Sequence, residues 1–564
     1  MSHSSKVPSS NNTSMRSRAV IAFSVLLLVI VSACSPKVSA PDTRNEALAA
    51  TVRSHCTDIN TPELGDGTLC IDNGFRVKSD DFSFRNWGRS PQADANVTVQ
   101  TLIDLFGHTS ICMPGNTGEC ILRPTTIQKL EQWNNALSGG RCEGLATLSN
   151  RMFLRYDSPS DFTSKAQKVS DINRDSSTLT QSSVYWWATQ FLPEVIDRAA
   201  QSRTLTPLEL VDDLIQGLAN GLGYTLSMYY GSTGHTVTPF AVTKRENTFV
   251  VHVYDNNFPG ERREIIVDSI SNSWTYPDAV FGLDGSGVTW KGNRGTFELV
   301  PMSARQGPFT CSFCLTNKED SRTRLSIAAR DPQAAGYIFI RTRDGKTLDV
   351  TPDAVVNSIP GATFEIGKGR QSGVTSISLP VNTGDFDVFV RRKSRAIPAG
   401  DVVVNIQQLN TASIQIAGNL ATSVIGEDLS GAALLNVREK NTEIHAPRNS
   451  NARVSIALGN SLSKTNLEQD NSLVVERMTE QSIQISLKGI DNQEIDQSTI
   501  QDSRSSTEIS LALDANRRIT SQSARIVPVP VQPQNQYSFT VRKVSPTSSS
   551  TAAPSNSIVI SEPD

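Results

Sequence analysis

Beyond Cys314 this 564-residue chain contains no cysteine and no tryptophan. Any thiol chemistry therefore belongs to the part before residue 315. Basic residues number 53 against 56 acidic ones, and no Lys/Arg block interleaved with aromatics occurs, which argues against nucleic acid as a partner. Long apolar runs are missing as well: Ala19 to Val31 falls short of the ~20 residues that a membrane-spanning helix needs. A zinc site at Cys311-Ser312-Phe313-Cys314 would need two further ligands, and Cys112 and Cys120 are poorly spaced to supply them, so no metal is expected; nothing in the sequence implies an organic cofactor either.

What is present begins with Arg16 and Arg18, then the short apolar run, then Ser32-Ala33-Cys34. This order resembles a bacterial lipoprotein signal. The resemblance implies that residues 1–33 are removed, that Cys34 carries lipid, and that 34–65 is a polar tether. The expected location is the cell envelope, extracytoplasmic, held to a membrane through the lipid. Ser35 in place of an acidic residue leans toward an outer membrane.

Eight cysteines divide evenly in an oxidising compartment. With Cys34 lipidated and Cys142 kept as a reactive thiol, six remain, and neighbour pairing gives Cys56–Cys70, Cys112–Cys120 and Cys311–Cys314.

Cys142 stands out because Gly139-Gly140-Arg141-Cys142-Glu143-Gly144-Leu145-Ala146 reads as a glycine turn delivering a cysteine to the first turn of an apolar helix. Unpaired N–H groups at a helix start favour thiolate and can hold an oxyanion. The competing reading is an inert buried thiol. His235 to Val242 and Thr248 to Tyr254 read as two strands of a hairpin through the polar turn Thr243 to Asn247. Folding about Arg245 sets His235 opposite Asp255, within reach of a carboxylate–imidazole contact. A register shift of one would offer Asn256 instead. His252 is expected on the opposite face from Asp255.

Helices are expected at Pro124 to Leu137, from Cys142 onward, near Ser183 to Leu192, and from a capping box at Thr206-Pro207-Leu208-Glu209 to about Asn220. From Tyr224 onward strands take over, and beyond about Asn317 the chain is Ser/Thr/Val/Ile-rich with short strand candidates and polar turns. The expected class is α+β. A thiol-hydrolase domain spans 66–310, a sandwich-like all-β domain 318–430, a second β-rich domain 431–545 and a mobile tail 546–564. Ser-Ile-Gln-Ile recurs at Ser413 and Ser482, a hint of a repeat.

Taken together, the Cys142 block, Gly234-His235-Thr236-Val237-Thr238-Pro239-Phe240 and Val253-Tyr254-Asp255-Asn256-Asn257-Phe258-Pro259-Gly260 resemble secreted bacterial papain-like cysteine peptidases over roughly Cys112 to Tyr276. The resemblance implies a papain-like N-terminal domain with Cys142 as nucleophile, His235 as base and acid, and Asp255 as orienting group. Papain relatives place a glutamine a few residues before the cysteine to bind the oxyanion, whereas the nearby amides here are Asn134 and Asn135. The expected substrate is a peptide or protein, including cell-wall peptide. Cell-wall amide hydrolysis, transglutaminase-like acyl transfer and a non-catalytic adhesion or scaffold role are the alternatives.

Overall fold

The computed structural model describes residues 43–532 apart from 58–61, 66, 114–117, 282–286, 315–321, 330–335, 369–374, 398–399, 408–411, 428, 430–432, 449, 480, 490, 503–506 and 514–517. The expected signal, the expected lipidation site Cys34, the end of the expected second β-rich domain from 533 and the expected tail from 546 lie outside the described residues. Among the described residues no helix is long and apolar enough to cross a membrane.

The expected helices form at Pro124–Ala136, Cys142–Phe153, Ser177–Ala188 and Pro207–Ala219. The last has the anticipated capping box: Thr206 Oγ1 accepts from the Glu209 N–H, and the Glu209 carboxylate accepts from the Thr206 N–H at 2.7 Å. A helix at Thr43–Ser54 falls in the segment read as a tether. It buries Ala49 and Val52 in the same apolar cluster as Leu210, Val211 and Leu214 of the Pro207–Ala219 helix, so residues 43–54 are part of the fold rather than a free spacer.

An antiparallel sheet of eight strands follows. Seven run in the order Gly287–Gly292, Ser273–Phe281, Arg262–Asp268, Thr248–Tyr254, Thr233–Arg245, Tyr224–Tyr230 and Phe297–Pro301; the eighth, Thr68–Asp72, also pairs with Thr233–Arg245. One face packs with the Pro207–Ala219 helix through Val237, Val251 and Val253. Phe240, Ala241 and Tyr254 join a second cluster with Leu145 and Leu148 of the Cys142 helix.

From Thr323 on, the described chain is almost entirely strand, arranged as a nine-stranded and a ten-stranded sheet. Alternating Val, Ile and Leu from both sheets fill one aliphatic core, from Leu325 to Leu511. This corrects the division expected at 430/431. Strands before and after that point pair directly, as in Ser413–Gly418 with Ala452–Leu458 and Phe386–Arg392 with Leu435–Val437. A core shared this way is one sandwich. The two Ser-Ile-Gln-Ile segments lie in different sheets.

The three neighbour pairs are disulfide-bonded: Cys56–Cys70, Cys112–Cys120 and Cys311–Cys314. Cys142 is the free cysteine among the described residues.

Candidate functional site

Gly140 turns the chain into the Cys142 helix with φ +114°, a conformation that suits glycine. A Cβ on it would lie 2.7 Å from Asn86 Nδ2. Gly144 has a packing role: a Cβ there would fall 1.9 Å from the Ser183 carbonyl oxygen, so only glycine lets the Ser177–Ala188 helix press this closely. Arg141, the residue before the helix, is buried and stacked 4.3 Å from the Trp87 ring, with carbonyls of Gly88 and Ala95 accepting from its guanidinium. The nucleophile candidate thus starts a helix that is clamped on several sides.

The histidine strand meets its neighbour differently from the expected register. The reversal is the two-residue turn Glu246-Asn247, with Arg245 opposite Thr248 and Glu246 at φ +46°. It is tighter than the five-residue turn read from the sequence. Continued without interruption, that pairing would set Thr238 opposite Asp255 and put His235 and Asp255 on opposite faces. A bulge between Pro239 and Ala241 restores the alternation, and the pairing ends at Thr238↔Tyr254. Asp255 then lies diagonal to His235 on one face. The alternate residues Thr236 and Thr238 donate to Glu143 Oε2 at 2.6 Å and to the Ala146 carbonyl at 3.2 Å, which docks the Cys142 helix.

His235 Nε2 and Asp255 Oδ1 are 2.7 Å apart, both residues buried. Asp255 also accepts from the Asn257 N–H at 2.7 Å and from the Tyr276 hydroxyl at 2.5 Å. Burial alone would raise the Asp255 carboxyl; His235, Tyr276 and Asn257 together hold it below its ordinary value. Burial would likewise lower His235, but the charge and hydrogen bond of Asp255, joined by Cys142, push it up to about 10. His235 Nδ1 finds no aligned protein partner, yet the Cys142 thiol is within interacting range of the ring. With Nε2 committed to Asp255, Nδ1 is the nitrogen left for sulfur. Cys142 itself has no solvent exposure.

Asn256, the alternative orienting residue, does something else. Its amide donates to the carbonyls of both Cys142 and Thr236, each at 3.1 Å, tying the Cys142 backbone to the histidine strand. Asn134 and Asn135 are also occupied elsewhere. Asn134 exchanges hydrogen bonds with Val97 N–H and C=O, and Asn135 donates back to Glu131 within its own helix. The amide beside the helix start is Asn86, whose Oδ1 accepts from the Arg141 N–H at 2.8 Å and whose own N–H donates to the Asn256 carbonyl at 2.7 Å. Sequence reasoning missed it because its approach to Cys142 depends on tertiary folding alone. His252 is buried against Thr243, at 2.9 Å.

Glu143, next to the thiol, is fully buried and ion-paired with Arg305 and Lys368. Burial would raise its carboxyl, but Lys368 and Arg305 hold it below its ordinary value. Lys368 belongs to the sandwich region and also pairs with Glu298 at 2.5 Å.

A scan against protein-family models matches none, and a search of curated proteins finds no relative of the chain.

Proposed function

We propose that this chain is an exported, lipid-anchored thiol hydrolase with a papain-like domain, acting on peptide bonds through Cys142, His235 and Asp255. The observation that carries the reading is the buried His235–Asp255 bond with a free thiol on the other side of the ring. In this reading His235 takes the Cys142 proton and the sulfur attacks a carbonyl carbon. Helix N–H groups, with Asn86 beside them, hold the oxyanion. The imidazolium returns its proton to the leaving amine, and water releases the acyl group from the thioester.

Acyl transfer to an amine is the second reading. It draws on the closure of Cys142 from solvent, since a site shielded from water lets another nucleophile compete for the thioester. Incubating the protein with a thiol-directed covalent peptidase inhibitor, followed by mass mapping, tests both: modification at Cys142, lost in His235→Ala, is expected. An unreactive Cys142 in folded protein would leave the scaffold role. Product analysis with a peptide pool, with and without a primary amine, separates hydrolysis from transfer.

A further inference from the structure

A cavity of about 350 Å³ lies between the Pro124–Ala136 helix and the nine-stranded sheet, and none of Cys142, His235 or Asp255 lines it. This size is within the range of small-molecule sites. Its wall carries cations. The Lys129 ammonium donates to Gln132 Oε1 at 2.6 Å and sits 5.4 Å from the Phe313 ring. Among the described residues no carboxylate forms an ion pair with it. Burial, and then the like charge of Arg324, lower Lys129 to about 8. Arg322 lines the same space. Of the carboxylates that line it, Glu365 is committed to Arg203 and Asp197 is exposed.

Buried polar atoms in the same lining are also left over. Among the described residues, Thr125 Oγ1, Gln128 Oε1 and Asn405 Nδ2 have no hydrogen-bond partner. Gln128 cannot relieve this by turning its amide, because its Nε2 donates to the carbonyls of Ser413 and Ser455. Each such orphan is destabilising; Thr125 Oγ1 and Asn405 Nδ2 can both donate to a negative occupant, whereas Gln128 Oε1 can only accept. The positive charge of Lys129 on its wall selects a negative occupant. Trp133 and Phe313, also in the lining, supply an apolar wall.

We propose that this cavity binds a small organic anion. Lys129 and the Asn405 amide hold its carboxylate or phosphate group, and its apolar body lies on Trp133 and Phe313. The site is separate from the thiol site and does not depend on the proposed reaction.

The test is calorimetric titration of the full mature chain with benzoate, phenyl phosphate, inorganic phosphate and benzyl alcohol. At least one of the two aromatic anions should bind saturably, inorganic phosphate more weakly, and benzyl alcohol not at all. Lys129→Met should weaken the aromatic anion by about tenfold or more, the scale of a lost charged hydrogen bond. Lys129→Arg should retain binding, Asn405→Asp should abolish it, and Cys142→Ala should leave it unchanged. Circular dichroism and the melting temperature certify that each variant is folded. Failure of both aromatic anions to bind, equal binding of benzyl alcohol, or binding unaltered in folded Lys129→Met would overturn the proposal. So would binding lost in Cys142→Ala, which would move the anion to the thiol site.

Discussion

Both regions of the molecule have apolar cores, but they differ in how much charge they bury beside them. Around the eight-stranded sheet, Arg141, Glu143, Arg151, His235, His252, Asp255, Glu298 and Arg305 are all withdrawn from water. The sandwich core is Val, Ile, Leu and Ala with Phe386 as its aromatic member. Desolvating charge is costly unless every group is paired, so the first region adds fixed, paired charges to its apolar clusters, while the sandwich relies mainly on aliphatic burial. Lys368 crosses that division, because the sandwich region places its ammonium between Glu143 and Glu298.

The sharpest break between the regions concerns turnover. Cys142→Ala should abolish activity and His235→Ala should cost about 10²–10⁴-fold, the usual worth of general acid–base catalysis. Asp255→Asn should cost less than His235→Ala, because an amide still orients the ring. Assay against a peptide pool, with melting curves showing that all three variants fold, checks this; a His235→Ala variant with unchanged turnover would remove the triad.

Lys368→Met should blur the comparison. It removes one of two cations from each of two buried carboxylates, Glu143 keeping Arg305 and Glu298 keeping Arg203, so the loss should stay below the about 3–5 kcal/mol of a buried charge left wholly unpaired. As Glu143 follows Cys142 in the same helix, reactivity of the thiol should fall along with stability, and Lys368→Arg should restore both in part. Chemical denaturation together with alkylation rates at Cys142 reads the two effects. Stability lost with alkylation unchanged would mean that the sandwich steadies the site's domain without shaping the site.

Leu435→Ala should do the converse. Leu435 is fully buried in the sandwich, and truncation of such a residue costs about 2–5 kcal/mol through lost burial and the cavity left behind. Under conditions where the variant is still folded, alkylation of Cys142 should match the parent.

How much of this was legible in the sequence varies with the range of the interactions involved. The Cys142 helix, the Thr206 capping box and the three local disulfides rest on near neighbours, and all three are where the pattern put them. The hairpin was legible as a hairpin but not in register, because the one local sign of the bulge at Pro239/Ala241, a proline inside a strand, was missed. That His235 still meets Asp255 owes as much to the bulge as to the turn. Asn86, Tyr276 and Lys368 come to the site from distant segments, and nothing local to them signals it. The single sandwich was hidden because strand order in a sheet of this size is set by long-range pairing: short strands with polar turns read the same whether they form one core or two.

A smaller effect separates the regions by pH. His252 is buried and neutral; burial, then Arg262, lower it to about 4, against about 6.5 when unfolded. Between those values the unfolded chain binds the extra proton, so the stability this group contributes is present above pH ~6.5 and is lost as pH falls toward about 4, by at most about 3 kcal/mol. His252→Gln, which keeps a partner for Thr243, should flatten that slope. Urea melts at pH 7 and pH 4.5 measure it, and an unchanged slope would show that His252 protonates as easily in the folded protein as in the unfolded chain.

The smallest expected effect tests how the orienting group is itself held. Tyr276 donates its hydroxyl to Asp255 Oδ2, the oxygen not bonded to His235. Tyr276→Phe keeps the ring in its apolar cluster and removes only the donor. Asp255 keeps its His235 and Asn257 partners, so the fold should hold and turnover at neutral pH should fall by about tenfold or less, below the full worth of one hydrogen bond to a charged group because the loss acts only through Asp255. The lost donor favours the protonated carboxyl, because Tyr276 is one of the groups that hold Asp255 below its ordinary value. The acid limb of the pH–rate profile should therefore move to higher pH in the variant, while the alkaline limb moves little. A change in stability without that displacement would make Tyr276 a packing residue and leave Asp255 oriented by its backbone turn alone.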